Sequence, residues 1–103
     1  MSNAWREFNS AIHTLAGTGS IQKRLANAYI YHLMRIQENI LPKELQQDFN
    51  KLGEDLTRVQ AKGDEGNVAA TTATMTDSKA REYVGIVISM YDKVVRYETK
   101  QGR

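Results

Sequence analysis

Apolar side chains recur every three or four positions from Ile21 through Leu25, Ala28, Tyr29, Leu33 and Ile36 to Ile40, with His32 beside them. That spacing aligns them on one face of an α-helix. A lone helix is marginal in water, so such a face must be buried against other elements. The chain is therefore expected to be helical and to fold around this stripe. Ser20 is placed to cap the helix by accepting an amide hydrogen bond. Leu41-Pro42 ends it, because proline removes a donor and restricts the residue before it. The expected central element is one long helix over residues 20–41.

Three further segments repeat the pattern. Trp5, Phe8, Ile12 and Leu15 lie on one face of a short first helix, with Asn3 as its N-cap and Gly17-Thr18-Gly19 as its end. Pro42 suits the first turn of a third helix, along which Leu45, Phe49, Leu52, Leu56 and Val59 continue at helical spacing. Gly53 falls inside that run, at a cost of up to about 1 kcal/mol relative to alanine if exposed, a cost that close approach of another helix would explain. Lys62 to Asn67 then reads as a surface turn. In the last segment Val84, Val87, Ile88, Tyr91, Val94 and Val95 are expected to share one face of a helix over residues 80–98, supported by the Asp92–Arg96 pair, as Glu54–Arg58 supports the third. Residues 68–76, rich in alanine and threonine, fit both a continuous helix over 67–98 and a capped turn. A break near Thr76-Asp77-Ser78 is preferred, with Asn67 as a cap.

These segments predict an all-α fold, a small three- or four-helix bundle, in a single helical domain over residues 1–103. With 41% hydrophobic residues the chain has material for a core and no signature of disorder. No apolar run approaches the roughly 20 residues that span a bilayer, and the N-terminus lacks the basic and apolar regions of a signal peptide. The sequence has no cysteine, which excludes disulfides, thiolate metal sites and a cysteine nucleophile and suits a cytoplasmic setting.

Catalytic signatures are absent. The two histidines, His13 and His32, fall in different expected helices and outside any His-Glu-x-x-His arrangement, so no metal or other cofactor is expected. No serine stands in a Gly-x-Ser-x-Gly elbow, the glycines before Ser20 lack the lysine and length of a phosphate loop, and Gly63 to Asn67 lacks a calcium ligand ladder. The expected function is a noncatalytic protein-interaction or self-association module, acting as a homodimer or with another protein. Trp5, Tyr29, Tyr31, His32 and Tyr97 are its candidate contacts, although Trp5, Tyr29 and Tyr91 also lie on expected core faces. The first alternative is a small nucleic-acid-associated regulator that gathers Lys23, Arg24, Arg35, Lys79 and Arg81 against phosphates. The net charge of +2 gives it little support. The second alternative is a hydrolytic enzyme with His32 as base.

Overall fold

The computed structural model describes residues 3–101 as five α-helices. The first, α1 (Asn3–Leu15), forms as its stripe requires, burying Ala4, Phe8, Ala11 and Leu15 and half-burying Trp5 and Ile12. Gly19, at φ +101°, turns the chain. Ser20 then caps α2 (Ile21–Tyr31), its hydroxyl accepting from the Lys23 amide at 3.1 Å. Arg24 reaches back across this turn: its guanidinium donates to the carbonyl of Leu15 at 2.7 Å and to that of Gly19 at 3.1 Å. The last carbonyl of α1 is thus satisfied by a cation from α2.

The long helix expected over residues 20–41 does not form. Helix α2 ends at Tyr31, and the chain continues through two single 3₁₀ turns, Leu33–Arg35 and Glu38–Ile40. Leu33 and Ile36 stay buried because a spacing of three serves a 3₁₀ turn as well as an α-helix. Beyond them the phase is lost: Ile40, on the expected stripe, is 42% exposed, whereas Leu41 beside it is buried. Leu41 is extended, as a residue before proline must be, and Pro42 precedes α3 (Lys43–Leu56). Helix α3 buries Leu45, Phe49, Leu52 and Leu56, and the ring of Phe49 meets that of Phe8 at 6.3 Å in a tilted arrangement.

The connection expected after α3 contains a fifth helix, α4 (Gly66–Ala73), entered through Gly66 at φ +83°. Asn67 does not cap it. Its carboxamide oxygen instead accepts from the Ala61 amide at 2.9 Å, pinning the preceding loop. Thr71 and Thr72 are buried, and the Thr71 hydroxyl donates to the Asn67 carbonyl while accepting from the Val59 amide. The break near Thr76 is present. Thr76 caps the next helix by accepting from the Lys79 amide at 3.0 Å, and α5 (Asp77–Gln101) follows.

Helix α5 is 25 residues and so about 37 Å long, in a molecule whose longest extent is 46 Å. It buries Ala80, Tyr83, Val87, Met90 and Val94. The expected face was therefore rotated by about one position: Val84, Tyr91 and Val95 are half-buried at its edge and Ile88 is 49% exposed. Helix α1 runs antiparallel to α5 and packs against it and α2, with Tyr91 and Asn9 side chains 3.4 Å apart. Helix α2 runs parallel to α5, and Gln22 ties their starts together by donating to the Asp77 carboxylate at 2.8 Å and the Met75 carbonyl at 3.1 Å. One buried cluster joins residues of all five helices. No helix among the described residues is long and apolar enough to cross a membrane.

Candidate functional site

The aromatic candidates separate by burial. Tyr29 is buried against α3, below Gly53, so it is a packing residue and not available to a partner. Burial also raises the pKa of its hydroxyl above the ordinary tyrosine value. Trp5 is half-buried against the core. Tyr31 and Tyr97 are exposed, at 57% and 39%, but on different parts of the fold: Tyr31 ends α2 and Tyr97 lies near the end of α5.

The cationic candidates are not gathered around one point. The Gln22–Asp77 bond brings the starts of α2 and α5 together, so Lys23, Arg24, Lys79 and Arg81 share one end of the molecule. Arg35 follows the far end of α2. At the shared end Arg24 is spent on backbone carbonyls, and Lys79 lies 3.9 Å from Glu82 and 5.7 Å from the centre of the Tyr83 ring.

His32 is half-buried, with Nδ1 3.6 Å from a carboxylate oxygen of Glu7, an ion pair when the imidazole is protonated that links the end of α2 to α1. His13 donates from Nδ1 to the Asn9 carbonyl at 2.9 Å. No group of three or more histidine or carboxylate side chains is arranged to hold a metal among the described residues.

The largest single hollow, about 640 Å³, lies on α3 between Glu38 and Glu54; a longer concave surface follows α5 beside α3. These helices are antiparallel: Asp55, near the end of α3, accepts a hydrogen bond from the Tyr83 hydroxyl at 3.0 Å, and Leu45 at the other end lines the same hollow as Lys93 and Tyr97. Their backbones stay further apart than those of α1 and α2 or α1 and α5. Three hollows follow one another along α5 as a furrow: the second and third lie between α3 and α5 and share Lys93, and the first lies between the segment after α3, α4 and the start of α5. The first, about 250 Å³, lies between Arg58, Val59, the Thr74–Thr76 turn and Tyr83. The second, about 290 Å³, is floored by Leu52, Ile86 and Met90, and the third, about 410 Å³, by Pro42, Leu45 and Tyr97.

Charge along the furrow is uneven. Arg58, Lys79, Lys51, Lys93, Arg96 and Lys100 line it, against Glu44, Asp48 and Asp55. Asp55 is already engaged by Tyr83 and by Lys51 at 3.5 Å, and Arg58 approaches it at 3.9 Å in place of the expected Glu54. Lys93 and Lys100 make no ion pair among the described residues. Burial, then the hydrogen bond and negative charge of Asp55, raise the pKa of Tyr83 above the ordinary value, opposed by the positive charge of Arg58.

No family model, curated protein or solved structure matches this chain.

Of the residues singled out by sequence, Lys79 and Tyr97 line the furrow; Ile86, Met90, Lys93 and Lys100 were missed. The signal that locates them is a repeat of seven along α5. Tyr83, Met90 and Tyr97 form one row, and Lys79, Ile86, Lys93 and Lys100 form the next. Side chains seven apart lie nearly above one another on a helix, so the two rows make an apolar floor and a mainly cationic rim.

Proposed function

We propose that this chain is a noncatalytic protein-interaction module whose furrow between α3 and α5 receives an acidic, amphipathic helical segment of a partner protein. The observation that carries the reading is the combination in that furrow of an apolar floor with six lining cations against three carboxylates. From Tyr83 to Tyr97 the floor runs about 21 Å, the length of a helix of roughly 14 residues. A partner helix with apolar residues every three or four positions would cover Ile86 and Tyr97, which the fold leaves 42% and 39% exposed. Acidic residues on its flanks would meet Lys93 and Lys100. Electrostatic complementarity of this kind chiefly accelerates and orients docking, while burial of the apolar row holds the complex. A nucleic-acid backbone would use the cations but leave the apolar floor uncovered. A cytoplasmic setting belongs to the same proposal, in keeping with a sequence free of cysteine.

The test is an NMR titration of the ¹⁵N-labelled protein with a synthetic helical peptide of about 14 residues, leucines on one face and glutamates on both flanks. Saturable shifts confined to Leu52, Ile86, Met90, Lys93 and Tyr97, weakened by salt and by Lys93→Glu, are expected. Equal binding of a peptide with lysine in place of glutamate, or no binding at all, overturns the reading. Binding of duplex DNA where the acidic peptide fails moves the assignment to the nucleic-acid alternative.

A further inference from the structure

The side of α5 that faces away from the core carries a second pattern, which shares only Arg96 with the furrow. Asp77, Arg81, Gly85, Ile88, Asp92 and Arg96 follow one another at intervals of four, four, three, four and four, so they form one stripe along the helix, and all six are exposed. Among the described residues, two members are not accounted for by contacts of the fold. Ile88 presents its side chain to solvent at 49% exposure. Gly85 interrupts the middle of a 25-residue helix, where glycine is less favourable than alanine, yet a Cβ added there would meet nothing within 4 Å. The fold therefore contains no close neighbour that requires a glycine at this position.

The stripe is complementary to itself when reversed. Turn a second copy of α5 end over end about a two-fold axis passing between Ile86 and Val87, and each stripe residue meets a matching one. Arg81 faces the partner's Asp92 and Asp92 the partner's Arg81. Asp77 faces the partner's Arg96, and Ile88 enters the gap left by the partner's Gly85. In a parallel arrangement each charge would instead face its own kind. We propose that this face of α5 is a homodimer interface, in which two copies of this chain pack α5 against α5 in antiparallel, two-fold symmetric fashion. Ion pairs at both ends set the register, and the two Ile88–Gly85 contacts allow the helices to approach closely at the centre. The intrachain pair of Asp92 with Arg96, at 3.0 Å, is compatible with this because each Asp92 carboxylate has a second oxygen for the partner's Arg81. Asp77 likewise accepts from Gln22 through one oxygen and retains the other.

Sedimentation equilibrium over a wide concentration range tests the proposal. The wild-type chain is expected to show a reversible monomer–dimer equilibrium. Arg81→Asp and Asp92→Arg, each of which sets like charges opposite one another, should weaken the dimer by about tenfold or more, and the double variant should recover most of that loss. Gly85→Leu separates the interface from the fold: it should abolish dimerisation while leaving thermal stability of the monomer unchanged or raised, because the site is open and leucine favours helix. A chain that stays monomeric at every concentration overturns the proposal. So does a dimer indifferent to Gly85→Leu, or one in which the charge-swapped double variant is as weak as the single variants.

Discussion

The hydroxyl oxygen of Tyr29 lies 2.7 Å from the point where a Cβ on Gly53 would be, which explains the glycine in the middle of α3. Tyr29 is buried at 8% exposure, so its ring has little freedom to withdraw. Gly53→Ala would ordinarily stabilise a helix by up to about 1 kcal/mol. Here it should instead destabilise the protein by about 1–3 kcal/mol through overpacking. Tyr29→Phe removes the offending oxygen, and the next ring atom is 3.8 Å away, an ordinary contact. In that background Gly53→Ala should be neutral or stabilising. Urea midpoints of the four proteins measure the coupling, and strict additivity would show that the two residues do not collide.

How far the fold was legible follows from whether the deciding contact is local. Ser20 as a cap, the start of α3 after Pro42 and the break before Asp77 depend on neighbours in sequence, and all are present. The end of α2 was not legible, because the three-residue spacing of Leu33 and Ile36 fits either type of helical turn. The face of α5 lies about one position away from the expected one because apolar residues flank it on both sides: Ile86 toward α3, Val84, Ile88 and Val95 on the other side. Gly53 and Thr71 depend on partners distant in sequence, Tyr29 and Val59. The candidate site was half legible, since Lys79 and Tyr97 stood out singly but α3, which completes the furrow, could not be set beside α5 from periodicity alone.

Arg24, a candidate phosphate contact under the nucleic-acid alternative, closes the end of α1 in the fold. Its two hydrogen bonds, to the carbonyls of Leu15 and Gly19, are made by a charged donor. Arg24→Ala should cost about 1–2 kcal/mol. A lysine presents a single point donor and should recover only part of this. Thermal melts followed by circular dichroism should show a fall of about 4–8 °C for each kcal/mol lost. An unchanged melting temperature in Arg24→Ala would return the side chain to solvent and to other uses.

Thr71 ties the segment that follows α3 to α4. Its buried hydroxyl accepts from the Val59 amide at 2.9 Å and donates to the Asn67 carbonyl at 2.7 Å. Thr71→Val keeps the shape but strands the amide, which should cost about 1–3 kcal/mol. Thr71→Ser keeps the hydroxyl and should lose much less. Hydrogen exchange at the Val59 amide distinguishes the two, fast in the valine variant and near wild type in the serine variant.

The Tyr83 hydroxyl donates to the Asp55 carboxylate from a buried position, and burial first, then Asp55, hold its pKa above the ordinary value of about 10. A group that keeps its proton longer in the folded state than in the unfolded one contributes stability that is fully present below the unfolded pKa. As pH rises past about 10 the unfolded chain binds fewer protons than the folded one, and stability falls, by up to about 1.4 kcal/mol per pH unit for one group, until the folded pKa is passed. Tyr29, raised by burial, acts in the same direction. Tyr83→Phe should therefore be less stable than wild type at pH 8, by about 1 kcal/mol for the lost hydrogen bond, and should then lose less on going to pH 11. Urea midpoints for both proteins at pH 8, 10 and 11 give the comparison. Parallel loss in the two proteins would mean that Tyr83 gives up its proton as readily folded as unfolded, against the raised value that its burial and the Asp55 hydrogen bond give it.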